Sequence, residues 1–238
     1  MKKLVIIPTY NEIENIEKIC RAVLSLPEAF DILVIDDGSP DGTASAVRQL
    51  QAGCEERLHL MERSGKLGLG TAYIAGFKWA LGHGYDYIFE MDADFSHNPD
   101  DLPRLLAACT EGGADLSVGS RYSDGINVVN WPFGRILISY CASIYVRLAL
   151  GVRIYDSTAG FVCYSRKVLE TIDLDDVRMK GYGFQIEMKY TAAKYGFKLS
   201  EVPVIFVNRK EGTSKMSGSI FGEAFWGVIG LRFRKFHK

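Results

Sequence analysis

Residues 87–101 read YIFEMDADFSHNPDD. Tyr87, Ile88, Phe89 and Met91 open like a strand buried in a core, and the run then meets Asp92, Ala93 and Asp94, with Ser96 and His97 close behind. Asn98-Pro99 signals a helix start, with proline at the first helical position. Strand, polar turn and helix follow one another within fifteen residues. The same succession recurs upstream. KLVIIP (3–8), DILVID (31–36) and RLHLME (57–62) read as strands. The first is followed by a capping box of Asn11 and Glu14, opening a helix whose face carries Ile13, Ile16, Cys20, Val23 and Leu24. A second helix begins near Thr43, and GTAYIAGFKWAL (70–81) is a third. The opening stretch belongs to a fourth strand, 85–92, and ADLSVGS (114–120) is a fifth. Strands alternating with helices require right-handed crossovers, which give an α/β fold with a mainly parallel twisted sheet flanked by helices. The second half is less regular. It holds an amphipathic helix around 134–150, a short strand GFVCYS, a helix around 183–195, a strand at 199–209 and a C-terminal helix. With no repeat or linker, residues 1–238 are expected to form a single domain.

In open α/β sheets, ligands bind beyond the carboxyl ends of the strands. Three such ends carry polar groups: Thr9-Tyr10-Asn11-Glu12, Asp36-Asp37 and Asp92-Ala93-Asp94. Any one carboxylate there can simply cap the next helix. Asp92 and Asp94 differ, because i and i+2 on an extended chain point to one side and repel unless a cation sits between them. A hard divalent ion, Mg²⁺ or Mn²⁺, fits such a pair together with phosphate oxygens. Ser96 either supplies a further oxygen or begins the turn, and His97 is expected to make a structural hydrogen bond. The glycines of KLGLGTAY do not form a Walker A loop, since Leu67 rather than Ser or Thr follows Lys66. DGSPDG reads as a plain turn that can present one ligand-facing residue, and Glu187 can act as a base without being required.

Composition narrows the setting. Net charge is −1, so no global field favours nucleic acid. The five cysteines are widely spaced without a CxxC, which points to reduced thiols in a cytosolic chain and not to zinc. The apolar run in MKKLVIIPTYNE is too short for a signal peptide, and no segment is expected to reach the roughly 18–20 apolar residues of a membrane span. The end of the chain, residues 218–238, combines Phe225, Trp226 and Phe233 with Arg232, Arg234, Lys235 and Lys238. It reads either as an amphipathic helix lying at an anionic membrane surface or as a core-packing helix with a solvated tail.

Seven stretches together carry a family resemblance: VIIPTYNEIENI, VIDDGSPDGT, KLGLGTAYIAGF, MDADFSHNP, VGSRY, NWPFGRILIS and FVNRKEGTSK. In this order they resemble the motifs of dolichyl-phosphate (polyprenyl-phosphate) mannose synthases, members of the inverting glycosyltransferase family 2 with the GT-A fold. The resemblance covers nearly the whole chain and implies GDP-mannose as donor and a polyprenyl phosphate as acceptor. By it, Pro8, Tyr10, Glu12, Ile35 and Asp37 hold guanosine. Asp92, Ala93, Asp94 and Ser96 line the metal and diphosphate, with Asp92 and Asp94 as ligands. Ser96 stands where some members have Gln. Arg121, Arg135 and Ser139 bind the acceptor phosphate, and Gln185, Arg209 and Lys215 lie near the donor phosphates on the closing side. The chemistry agrees. A phosphate monoester is largely ionised at neutral pH, so its oxygen needs no strong base, and the barrier lies in bringing anions together. The implied setting is a cytoplasmic protein peripherally associated with the membrane, at its surface or through a membrane-embedded partner. The same chemistry with UDP-glucose, or a non-catalytic nucleotide-sugar-binding subunit, are the alternative readings.

Overall fold

A computed structural model describes residues 1–54, 56–179, 181–208 and 218–234. Seven strands make the central sheet, in the order β3-β2-β1-β4-β7-β5-β8. They are β1 (Lys3–Thr9), β2 (Asp31–Asp36), β3 (Leu58–Glu62), β4 (Tyr87–Glu90), β5 (Leu116–Ser120), β7 (Val162–Ser165) and β8 (Leu199–Pro203). All neighbouring pairs are parallel except those of β7, which runs antiparallel to both β4 and β5. Its entry therefore lies at the same sheet end as the exits of the other strands. A two-strand parallel ribbon, β6 (Val128–Val129) with β9 (Phe206–Val207), stands beside that end.

Alternate residues of the inner strands go to opposite faces, and both faces are buried. Leu4, Ile6, Leu33 and Ile35 pack under α3 (Leu69–Gly82) and α7 (Tyr182–Lys194), through Tyr73, Phe77, Phe184 and Met188. Val5, Ile7, Ile32 and Val34 pack under α1 (Ile16–Leu24), α2 (Thr43–Gln51) and α4 (Leu102–Thr110). Burial on both sides explains why the strands read as unbroken apolar runs. A short helix, α6 (Arg166–Thr171), follows β7. The remaining helices, α5 (Phe133–Leu150) and α8 (Gly218–Phe233), pack on α7 through Val146, Leu150, Ile186, Tyr190, Val228 and Leu231.

Several local expectations change. The capping box of Asn11 and Glu14 does not form: Asn11 has φ +60°, and α1 begins at Ile16 after Asn15. The reason is that the backbone N–H groups of Asn11, Glu12 and Ile13 donate to Ser39 Oγ, Thr43 Oγ1 and Asp41 Oδ2, at 3.0, 3.1 and 3.1 Å. DGSPDG is thus a clamp on the first loop, not a plain turn, and Ile13 is exposed. The strand expected at 199–209 divides into β8 and β9, because Pro203 has no N–H to continue the ladder. β4 ends at Glu90, so Asp92 and Asp94 share a side through a turn, with Phe95 at φ +58°, and not through strand alternation. Lastly, α5 is not amphipathic. Only 17% of it is buried, and by length and composition alone it is apolar enough to cross a membrane, which the sequence reading had excluded for every segment.

Candidate active site

The exits of β4 and β5, the entry of β7 and the helices α5 and α8 enclose a cavity of about 800 Å³. Asp92, Asp94, Ser96 and His97 line its floor, and Arg121, Arg135, Ser139 and Gln185 its polar wall. The turn after β4 is self-supporting. Ser96 N–H donates to Asp94 Oδ1 at 3.0 Å, and Asp92 N–H donates to His97 Nδ1 at 3.1 Å. Burial keeps His97 easier to deprotonate than an ordinary histidine, which suits a ring nitrogen acting as acceptor. Its ring stacks on Phe161 at 4.9 Å, so its role is structural. Among the described residues, no group of three or more His, Cys, Asp or Glu side chains stands ready for a metal. Two carboxylates suffice for an ion that keeps water and phosphate as its other ligands. The buried Ser96 hydroxyl meets no hydrogen-bond partner within the described protein, so a third oxygen is at hand. Ala93, by contrast, is buried in the core.

Arg121 follows β5 and is buried. Asp156, fully buried, accepts its backbone N–H, Nε and a terminal N–H at 2.9, 2.6 and 2.5 Å, and Thr158 Oγ1 accepts a further bond at 2.9 Å. Burial alone would raise the Asp156 carboxyl, but the Arg121 charge and these bonds outweigh it and hold it below the ordinary carboxylate range. The rings of Trp131 and Phe206 lie 5.4 and 5.6 Å from the same guanidinium. Arg135, in the first turn of α5, stacks on Trp131 at 3.9 Å and donates to Asn208 Oδ1 at 2.9 Å, with Ser139 one turn further on. Gln185 is buried, donating to Glu90 and accepting from Lys189.

The five residues expected to hold guanosine sit apart, around the exits of β1 and β2, outside the cavity lining. Asp37 is gripped at both oxygens by Arg63, at 2.6 and 2.8 Å, and Arg63 also reaches Thr71 in α3 at 2.9 Å. Lys66 lies 5.0 Å over the Tyr10 ring. Pro8 is half-buried, and Glu12 accepts from Asn15 Nδ2 at 3.3 Å. Ile35 departs from expectation: its side chain is wholly in the core, leaving only backbone for any ligand. Asp36 is taken up by Ser39 and Thr9. Glu187 is spent on the backbone of Arg178 and Met179 and on Arg234. Arg209 and Lys215 lie outside the described residues, as do Lys235 and Lys238.

The family model for glycosyl transferase family 2 matches residues 4–173. The chain belongs to that family. Relatives extend the match. A polyprenol monophosphomannose synthase of Mycolicibacterium smegmatis is 50% identical over 96% of this chain and 88% of its own. An undecaprenyl-phosphate mannosyltransferase of Micrococcus luteus is 48% identical over 98% of this chain and 99% of its own. The likeness to polyprenyl-phosphate mannose synthases therefore holds along the chain, and the family 2 protein is a glycosyltransferase. Its GT-A-like fold is shared with glucosyl-3-phosphoglycerate synthase of Mycobacterium tuberculosis, solved with Mn²⁺, uridine diphosphate and phosphoglyceric acid. That structure superposes with TM-score 0.71 at 18% identity, covering 99% of this chain and 80% of the other.

Sequence reasoning about this family 2 enzyme missed Asp156, Trp131 and Arg63, each of which holds a residue that it had found. Arginine or aspartate in an unremarkable loop carries no signal until its distant partner is known. Of the C-terminal basic residues, expected at a membrane surface or in a solvated tail, Arg232 is exposed while donating to Ala149 O at 3.2 Å, and Arg234 turns inward to pair with Asp176 and Glu187.

Proposed function

We propose that the chain transfers mannose from GDP-mannose to a polyprenyl phosphate at a membrane surface. The supporting observation is the course of the cavity. It runs from the Asp92–Asp94–Ser96 turn, past Arg121 and Arg135, to a wall of Ile138, Ala142, Tyr145, Val146 and Val228. A ligand with an anionic head and an apolar tail matches that gradient.

In this reading Asp92, Asp94 and Ser96 would hold Mg²⁺ or Mn²⁺, which when bound neutralises the donor diphosphate. Pro8, Tyr10, Glu12, Asp37 and the Ile35 backbone take the guanosine. Arg121, Arg135 and Ser139 receive the acceptor phosphate, and the two guanidinium charges offset its negative charge. Asp156 fixes the Arg121 plane, so little reorganisation is needed when the phosphate arrives. The ionised acceptor oxygen forms its bond to the anomeric carbon as the bond to GDP breaks. Gln185 borders the donor side, a role also assigned to Arg209 and Lys215.

The membrane contact belongs to two helices. Phe133, Leu137, Ile138 and Leu148 on α5 and Phe225, Trp226 and Phe233 on α8 are exposed, and Tyr145 joins the helices by stacking on Phe225 at 4.8 Å. Such a surface is apolar beyond the needs of a solvated protein and suits the headgroup boundary.

The test is transfer of radiolabelled sugar from GDP-mannose to a short polyprenyl phosphate with Mg²⁺, Mn²⁺ or chelator. A lipid-linked mannose that disappears with chelator is the expected result. Product from UDP-glucose alone would replace the donor, and tight nucleotide binding without product from any donor would favour a binding subunit.

A further inference from the structure

Lys189 is completely buried in α7 and does not line the cavity. Its ammonium lies within hydrogen-bond distance of four oxygens: Ala159 O at 2.6 Å, Ser157 O at 3.2 Å, Gln185 Oε1 at 3.2 Å and Gln185 O at 3.3 Å. Two of these acceptors belong to the segment just after Asp156, which also carries Thr158, the second acceptor for Arg121. The other two belong to Gln185, whose amide N–H reaches the buried Glu90, two residues before Asp92. Thr158, Ala159, Gly160 and Gln185 all line the cavity.

One cation thus ties together the loop that orients Arg121 and the residues beneath the Asp92–Asp94 turn. A buried charge is seldom the most stabilising choice for a core position, since apolar residues of similar volume do as well or better. Packing alone leaves its presence here unexplained. We infer that Lys189 is a positioning residue for the transfer reaction, setting the Arg121 loop and Gln185 at a fixed separation. The assignment rests on the activity proposed above.

The test uses the full chain with prenyl phosphate in vesicles and whichever nucleotide sugar the wild type turns over, so a wrong donor assignment leaves it intact. Lys189→Met should keep its affinity for the nucleoside diphosphate while kcat falls on the order of 100-fold, the scale of a misplacement of about 1 Å. Thr158→Val should add little to that loss, because both changes release the same loop. Lys189→Arg, which keeps the cation, should recover most of the turnover. Wild-type turnover by Lys189→Met overturns the proposal. So does an additive loss with Thr158→Val, or a loss of nucleotide binding and of the melting transition in step with turnover in both Lys189 variants.

Discussion

Asp156 is a single carboxylate surrounded by the N–H groups of one arginine, and its removal would strand a buried cation. Asp156→Asn should lower stability by about 3–5 kcal/mol at neutral pH, read as a shift in the denaturation midpoint. The pH dependence has a definite sign. The folded state holds this carboxyl below its ordinary value, so its contribution is complete above that value and is lost as pH falls through the folded one. The gap between wild type and Asp156→Asn should therefore narrow only below about pH 4. Asp94→Ala should behave differently, reducing transfer by about 10³-fold with no change in melting beyond about 1 kcal/mol, since Asp94 sits in a turn at the cavity. Near-normal turnover would remove Asp94 from the chemistry. These two aspartates also mark what the sequence discloses at this scale. Asp94 ends an apolar run and announces itself, whereas Asp156 acquires meaning only from Arg121, 35 positions away.

Helix α3 lies so close to the sheet that a Cβ at Gly76 would come within 2.8 Å of Ile6 Cδ1 and 2.9 Å of Ile35 Cδ1. Gly76→Ala should cost about 1–3 kcal/mol in denaturant unfolding, more than the helical preference of alanine returns. A melting point equal to that of wild type would show that the helix shifts freely. The helix itself was legible at 70–81, one residue inside each of its ends, because its apolar content is continuous and glycines punctuate its flanks. On α5 the pattern misled, because its second apolar face, with Phe133, Leu137 and Leu148, stays exposed among the described residues. Replacing Phe133, Leu137 and Leu148 by serine should weaken binding to anionic vesicles roughly tenfold for each residue, with melting unchanged. Unaltered co-sedimentation would place the membrane contact elsewhere.

For the molecule as a whole, a nucleoside diphosphate bound with its ion should raise stability by about 2.7 kcal/mol at a hundred times the dissociation constant. GDP with Mn²⁺ should shift the melting temperature upward, and chelator should return it; equal shifts by GDP with and without Mn²⁺ would argue against the carboxylate pair as ligands. The α/β plan was readable because β1 to β4 alternate with helices and each strand is covered on both faces. The direction of β7 was not, because it depends on how residues 121–161 travel, and those residues build the cavity wall instead of a compact crossover. That strand has a consequence for biosynthesis. β5 leaves the ribosome long before β7, yet its inner edge and the free edge of β4 both wait for Val162–Ser165. A nascent chain that has reached only β5 holds an open edge on β4 and two on β5, whose other neighbour β8 comes later still, and such edges are the kind of surface on which neighbouring chains pair wrongly. The interval between those two strands is when a chaperone has most to shield.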